Sequence, residues 1–178
     1  AWATLPDGRS FLDACASALR GAGASPLLAT LPPESGDPGI EGLQPLVLPE
    51  AGLDMFASLK VGLTLLIQTE DWERVALLPV DHPLVRSETV SFLAESASAA
   101  AIPSFNGKHG HPICIDREVV AAIVCGDFPG PTLREVLRSI KTVDVDVDDP
   151  GVVANCNTPA ALSEALEANS EFGIRNSE

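Results

Sequence analysis

Arg74 to Val85 reads RVALLPVDHPLV. Val75, Ala76, Leu77, Leu78 and Val80 form an apolar run with no polar alternation. That is the pattern of a strand buried on both faces, and hence of a central strand in a parallel sheet. The run stops at Asp81, and His82-Pro83 turns the chain away, so the carboxylate is expected at the carboxyl end of the strand, the edge where open α/β sheets bind ligands. A carboxylate there has a second reading, as a cap on the backbone N–H groups of the turn.

Elements on either side extend the pattern. Ser10 can cap a helix that carries Phe11, Leu12, Ala14, Cys15, Ala18 and Leu19 on one face and ends at Gly21 and Gly23. Ser25 to Thr30 and Gln44 to Leu48 read as strands around a Pro/Gly-rich loop. Asp54 to Gln68 has helical spacing through Met55, Leu59, Leu63 and Leu66, and it leads back to Val75. Ser87-Glu88 opens a further helix, and two strands joined by a Gly-containing turn fit Ala101 to Ile115. Asp116 and Thr132 cap two more helices, Val143, Val145 and Val147 alternate with aspartates, and Thr158-Pro159 starts a last helix. Strands alternating with helices predict a three-layer α/β/α sandwich with a mostly parallel sheet. One domain over residues 1–168 is expected, followed by a polar tail at 169–178 that frays.

The chain has 178 residues, 46% of them hydrophobic, and a net charge of −14. Such charge repels nucleic-acid backbones and anionic membranes, so neither is expected as a partner. No apolar stretch reaches the roughly 20 residues of a membrane span. Cys15, Cys114, Cys125 and Cys156 stand far apart, in none of the close pairs of zinc sites; reduced, buried thiols in a cytoplasmic protein are expected.

Three polar clusters interrupt apolar segments at strand ends. The first is Asp81-His82. The second is Asn106-Gly107-Lys108-His109-Gly110-His111-Pro112, where two glycines permit close backbone approach to a ligand; an exposed hairpin tip is the other reading. The third is Asn155-Cys156-Asn157-Thr158-Pro159, where an amide oxygen can serve a hard cation such as Mg²⁺, or Asn157 simply helps start the helix. Asp144, Asp146 and Asp148 read as a solvated strand face. Neither G-x-S-x-G nor G-x-x-x-x-G-K-[ST] occurs, which leaves hydrolase and P-loop readings without support.

LLPVDHPLV, IPSFNGKHGHPICI and DDPGVVANCNTPAAL, in that order, resemble the MobA-like nucleotidyltransferases, and most of all the branch containing molybdenum cofactor cytidylyltransferases. LPDGRSFLDACASALRGAG resembles the segment after that family's first loop. LDMFASLKVGL is similar to its Gly-Met-x-x-Ser-Leu-Arg-x-Gly-Leu helix start, with Asp54 where glycine is usual and Lys60 for arginine. The resemblance runs from Leu5 to about Leu166. It implies a Rossmann-like nucleotidyltransferase fold, akin to nucleotide-diphospho-sugar transferases. It also implies Mg²⁺-dependent transfer of a nucleotidyl group, CMP from CTP, to a phosphorylated acceptor such as molybdopterin, with release of pyrophosphate.

Carried over residue by residue, Asp81 matches the metal-holding aspartate and Asn157 the second metal position. Ser58 and His82 would lie near the nucleotide, and Gly107, Gly110, His111 and Pro112 near the acceptor. A molybdoenzyme or a chaperone is the implied protein partner. The family's opening strand and Gly-rich, basic phosphate loop have no counterpart in the sequence as given. The sheet is then expected to lack a central strand, exposing unpaired groups on two neighbours at about 1–3 kcal/mol for each one buried. Turnover is expected to be weak or absent, and a non-catalytic relative that binds a nucleotide, molybdenum cofactor or a partner protein is the alternative.

Overall fold

The computed structural model describes residues 3–69, 71–128, 130 and 132–175. In chain order the elements are α1 (Phe11–Gly21), β1 (Leu27–Leu31), β2 (Leu43–Val47), α2 (Met55–Leu66), β3 (Arg74–Leu77), α3 (Ser87–Ala94), β4 (Ala100–Phe105), β5 (Lys108–His109), β6 (Ile113–Asp116), α4 (Arg117–Cys125), α5 (Leu133–Ser139), β7 (Thr142–Asp146), a 3-10 turn (Pro150–Val153) and α6 (Pro159–Arg175). The caps expected at Ser10, Asp116 and Thr132 are in place, and Asp54 adds another. Ser10, Asp54, Asp116 and Thr132 each accept a backbone N–H one turn in, from Asp13, Ala57, Val119 and Glu135, which stabilises each helix start by about 1 kcal/mol. α6 continues from Asn169 to Arg175.

Period-2 alternation divides the core into two layers. Ala100, Ile113 and Ile115 face a cluster with Leu63 and Leu66 of α2 and Val119, Val120 and Ile123 of α4, to which Val75 and Leu77 are added. Ala101, Cys114 and Ala76 face Leu93 of α3 on the other side. Leu5, Phe11, Ala14 and Cys156 form a third cluster with Val80 and Leu84, and α6 joins it through Leu162 and Ala165. The three-layer architecture is therefore as expected.

The sheet differs in direction. Asn106 and Gly107 both have positive φ, +50° and +74°, the demand of a tight hairpin turn. They send the chain back along β4 as β5 and then β6, so the expected hairpin has a return strand in two pieces, split around Pro112. β6 lies between β4 and β3, antiparallel to both, while β7 is parallel to β4. β3 is thus not the parallel central strand that its apolar run suggests. All four of its residues are half-buried, and its ladder is with β6. β1 and β2 form a separate two-stranded parallel sheet. Among the described residues β1 and β3 each present an edge without a ladder partner.

A two-stranded ladder is marginal by itself. Amides of β1 and β2 should therefore exchange with solvent well before those of Ala100, Ala101, Cys114 and Ile115. Equal protection by hydrogen-exchange mass spectrometry would show that the two sheets open as one.

Candidate functional site

β3 ends at Leu77, three residues before the apolar run does. Pro79 lacks an N–H and restricts Leu78 before it. The chain then turns, with the His82 N–H on the Pro79 carbonyl at 3.1 Å, and Asp81 stands in that turn beyond the strand.

Three segments meet there. The Asn155 side chain donates through Nδ2 to Asp81 Oδ2 at 2.6 Å, and the Cys156 N–H donates to the Asp81 carbonyl at 2.7 Å. The third segment is the end of the hairpin, where the His111 N–H donates to the Val152 carbonyl at 2.8 Å. The His82 and His111 rings meet edge to face with centroids 4.9 Å apart. Gly110 approaches Val152 so closely that a Cβ there would lie 2.1 Å from its carbonyl oxygen. The close approach read from the glycines is real, but at Gly110 it is backbone to backbone.

The residues singled out in the sequence are placed as follows. Asp81, His82, Gly110, His111 and the 155–157 segment come together. Asn157 gives its N–H to Asn155 Oδ1 at 3.2 Å, and its exposed side chain makes no hydrogen bond to Asp81 among the described residues. Asn155 and Asn157 are two apart in one polar cluster, so spacing did not separate them; only the contact does. Gly107 and Lys108 lie at the exposed hairpin tip. Ser58 lies in the first turn of α2, its N–H on the Asp54 carbonyl, and no hydrogen bond ties it to Asp81. The acidic strand β7 is solvated, and its Asp144 Oδ2 lies 3.2 Å from His109 Nε2, both side chains 57% exposed.

The electrostatics of the site are set by burial. Burial lowers the His82 pKa, against the pull of Asp81. Burial with His82 alongside lowers that of His111 to about 4. Both are below the unfolded value of about 6.5, so the unfolded chain takes up protons first as pH falls. The stability from these neutral rings is complete above about pH 6.5 and is lost on the way down to about 4. His111 alone should cost about 2 kcal/mol between pH 7 and 5. Urea unfolding at both pH values, with His111→Gln losing visibly less than wild type, is the expected result.

Burial also raises the Cys15 thiol to about 12 and that of Cys156 in the same direction, so neither is a ready nucleophile. All four cysteines are free, and Cys125, expected to be buried, is exposed. A depression of about 640 Å³ lined by Asp71, Trp72, Glu73 and Arg117 lies at the opposite, amino end of β3. There the Arg117 guanidinium is consumed by the carbonyls of Ile67 and Thr69 and by the Trp72 ring.

Asp81 offers one carboxylate, towards which Asn155 turns its NH₂ while its Oδ1 accepts the Asn157 N–H, and the described residues contain no group of three or more His, Cys, Asp or Glu able to hold a metal. Mg²⁺ commonly takes one or two carboxylates and leaves its other positions to water and phosphate.

The family profile for the MobA-like NTP transferase domain matches residues 1–143. The chain belongs to that family. It is a nucleotidyltransferase-like domain, and its α/β fold is shared with solved structures of low sequence identity. Rv0371c from Mycobacterium tuberculosis, crystallised as a manganese complex, superposes with a TM-score of 0.70 at 20% identity, over 92% of this chain and 89% of that one. The 2-C-methyl-D-erythritol 4-phosphate cytidylyltransferase of Thermus thermophilus gives 0.67 at 19% identity, over 92% and 90%. Molybdopterin-guanine dinucleotide biosynthesis protein A of Archaeoglobus fulgidus gives 0.50 at 17%, over 72% and 69%. No curated protein sequence matches the chain. No helix among the described residues is long and apolar enough to cross a membrane.

Proposed function

We propose that this domain transfers a nucleotidyl group, CMP from CTP, to a phosphorylated acceptor of the molybdopterin type, with release of pyrophosphate. Asp81, together with the amide oxygens of Asn155 and Asn157, would hold Mg²⁺. The observation that carries the reading is that the Asn155 side chain meets Asp81 at 2.6 Å, beyond the carboxyl end of β3 and beside His111; its NH₂ faces the carboxylate, so a shared cation requires the amide to turn its oxygen inward and release the Asn157 N–H. The choice of cytidine and of molybdopterin rests on the resemblance of the three motifs.

When bound, Mg²⁺ supplies charge neutralisation to the triphosphate and polarises the phosphoryl group under attack. The chain's part is to bind and orient. Asp81 contributes a negative oxygen, the asparagines contribute neutral ones, and the 106–112 and 149–157 segments form adjoining walls. An acceptor phosphate oxygen attacks the α-phosphorus and pyrophosphate leaves, so no protein nucleophile is needed, in keeping with thiols held protonated by burial. With a net charge of −14, the protein should repel a bare triphosphate.

The test is calorimetric titration of CTP and GTP with and without Mg²⁺, followed by pyrophosphate release with molybdopterin as acceptor. Tighter CTP binding only when Mg²⁺ is present supports the reading. Identical binding with and without the metal rejects it.

A further inference from the structure

Asp149 is a charged residue with 1% of its surface exposed. One oxygen, Oδ2, accepts the Arg86 N–H at 2.9 Å and the Thr89 hydroxyl at 2.7 Å. The other, Oδ1, accepts the Gly151 N–H at 2.9 Å, and Arg86 Nε stands 4.0 Å from it. A single carboxylate therefore caps two helical starts, those of α3 and of the 3-10 turn, though Thr89 and Asp149 are 60 residues apart. Arg86, at the N-cap of α3, makes no side-chain capping bond of its own. The negative charge is also well placed against the helix dipole.

Both capped starts border the candidate site. α3 begins six residues after Asp81, and the 3-10 turn ends two residues before Asn155. Between them the backbones are in close contact, since a Cβ on Gly151 would lie 2.3 Å from the Leu84 carbonyl oxygen. At the near end the same two segments are joined by the Asp81 carbonyl and the Cys156 N–H. A rigid strip fastened at both ends transmits the position of one end to the other. Without Asp149 the Arg86, Thr89 and Gly151 donors lose their buried acceptor, and the far end comes free.

We infer that Asp149 is a positioning residue: its buried carboxylate clamps the 149–157 segment to the 81–89 segment and so sets Asp81 and Asn155 in contact. Among the described residues Asp149 makes no hydrogen bond to either side chain of that pair. Its effect passes through the backbone it holds, in the manner of the outer partners that orient metal ligands.

Two readouts test the inference, and only the second rests on the cation reading of the site. The first is the side-chain amide resonance of Asn155 in metal-free protein by ¹⁵N NMR, compared in wild type, Asp149→Asn, Thr89→Val and Thr89→Ser. Asparagine at 149 sets an NH₂ against a backbone donor, and valine at 89 removes a single hydroxyl without threatening the fold. In both variants the amide should leave its shifted, hydrogen-bonded position, while Thr89→Ser, which keeps the hydroxyl, should retain it. The second readout is Mn²⁺-dependent CTP affinity. It should fall about tenfold in Asp149→Asn and Thr89→Val, with metal-free CTP binding unchanged and Thr89→Ser within about twofold of wild type.

If the Asn155 resonance stays in place in folded Thr89→Val and Asp149→Asn, the clamp is overturned whatever the nucleotide does. Should Asp149→Asn fail to fold, Thr89→Val decides alone. A displaced resonance in protein whose wild type shows no Mn²⁺ effect would uphold the clamp and overturn the cation reading instead.

Discussion

Gly110→Ala and Gly151→Ala should each cost roughly 3 kcal/mol of stability and separate the segments that form the site, although neither glycine carries a functional group. The added methyl would lie 2.1 Å from the Val152 oxygen at position 110 and 2.3 Å from the Leu84 oxygen at position 151. Both obstacles are backbone carbonyls, which cannot rotate away as a side chain can. Yielding at Val152 would also strain the His111 N–H bond to that same oxygen. Gly36 is the control, since a Cβ there meets nothing within 4 Å, and Gly36→Ala should stay within about 0.5 kcal/mol of wild type. Urea unfolding measures all three. A Gly110→Ala protein as stable as Gly36→Ala would mean that the hairpin and the 3-10 turn do not touch in solution.

That pair of contacts also marks where reading the sequence ran out. The layers, the helix caps and the hairpin turn were legible because each depends on local chemistry: apolar period, a hydroxyl or carboxylate one turn before a helix, an Asn-Gly pair at positive φ. The direction of β3 was not. An apolar run such as Val75 to Leu78 looks the same whether its neighbour is parallel or antiparallel, and the choice was made by the hairpin turn at Asn106-Gly107, which folds β6 back against it. The site was half legible. Asp81 and His82 announced themselves as polar residues after an apolar run, and His111 as part of the polar cluster at 106–112. Asn155 stood in the same polar cluster as Asn157 but was not singled out, and neither was Asp149, which directly follows the row of acids at 144, 146 and 148. Burial separates Asp149 from that row: it is 1% exposed, whereas Asp144 and Asp146 face solvent. No period or motif reports a capping bond to a helix start 60 residues away.

Asp81→Asn should abolish the Mg²⁺-dependent gain in CTP affinity while leaving the fold intact. The two side chains have the same shape, and an asparagine oxygen can still accept from Asn155 Nδ2, replacing the 2.6 Å bond of the wild type. The Cys156 N–H bonds the main-chain carbonyl of residue 81, which the substitution does not alter. What disappears is the negative charge, the one feature of the pair that a divalent cation cannot obtain from an amide. Loss of an outer partner costs about 10–100-fold in metal affinity, so loss of the carboxylate itself should reach at least the upper end of that range. Asn155→Ala and Asn157→Ala complete the experiment. If the side chain in contact with Asp81 is the second ligand, Asn155→Ala should weaken Mg²⁺-dependent binding more than Asn157→Ala; the reverse order would favour the position matched by family resemblance. Titrations of CTP against wild type and the three variants, each with and without Mg²⁺, read the outcome directly. Affinities indifferent to both metal and mutation would reduce Asp81 and Asn155 to a structural pair that joins two segments at the end of the sheet.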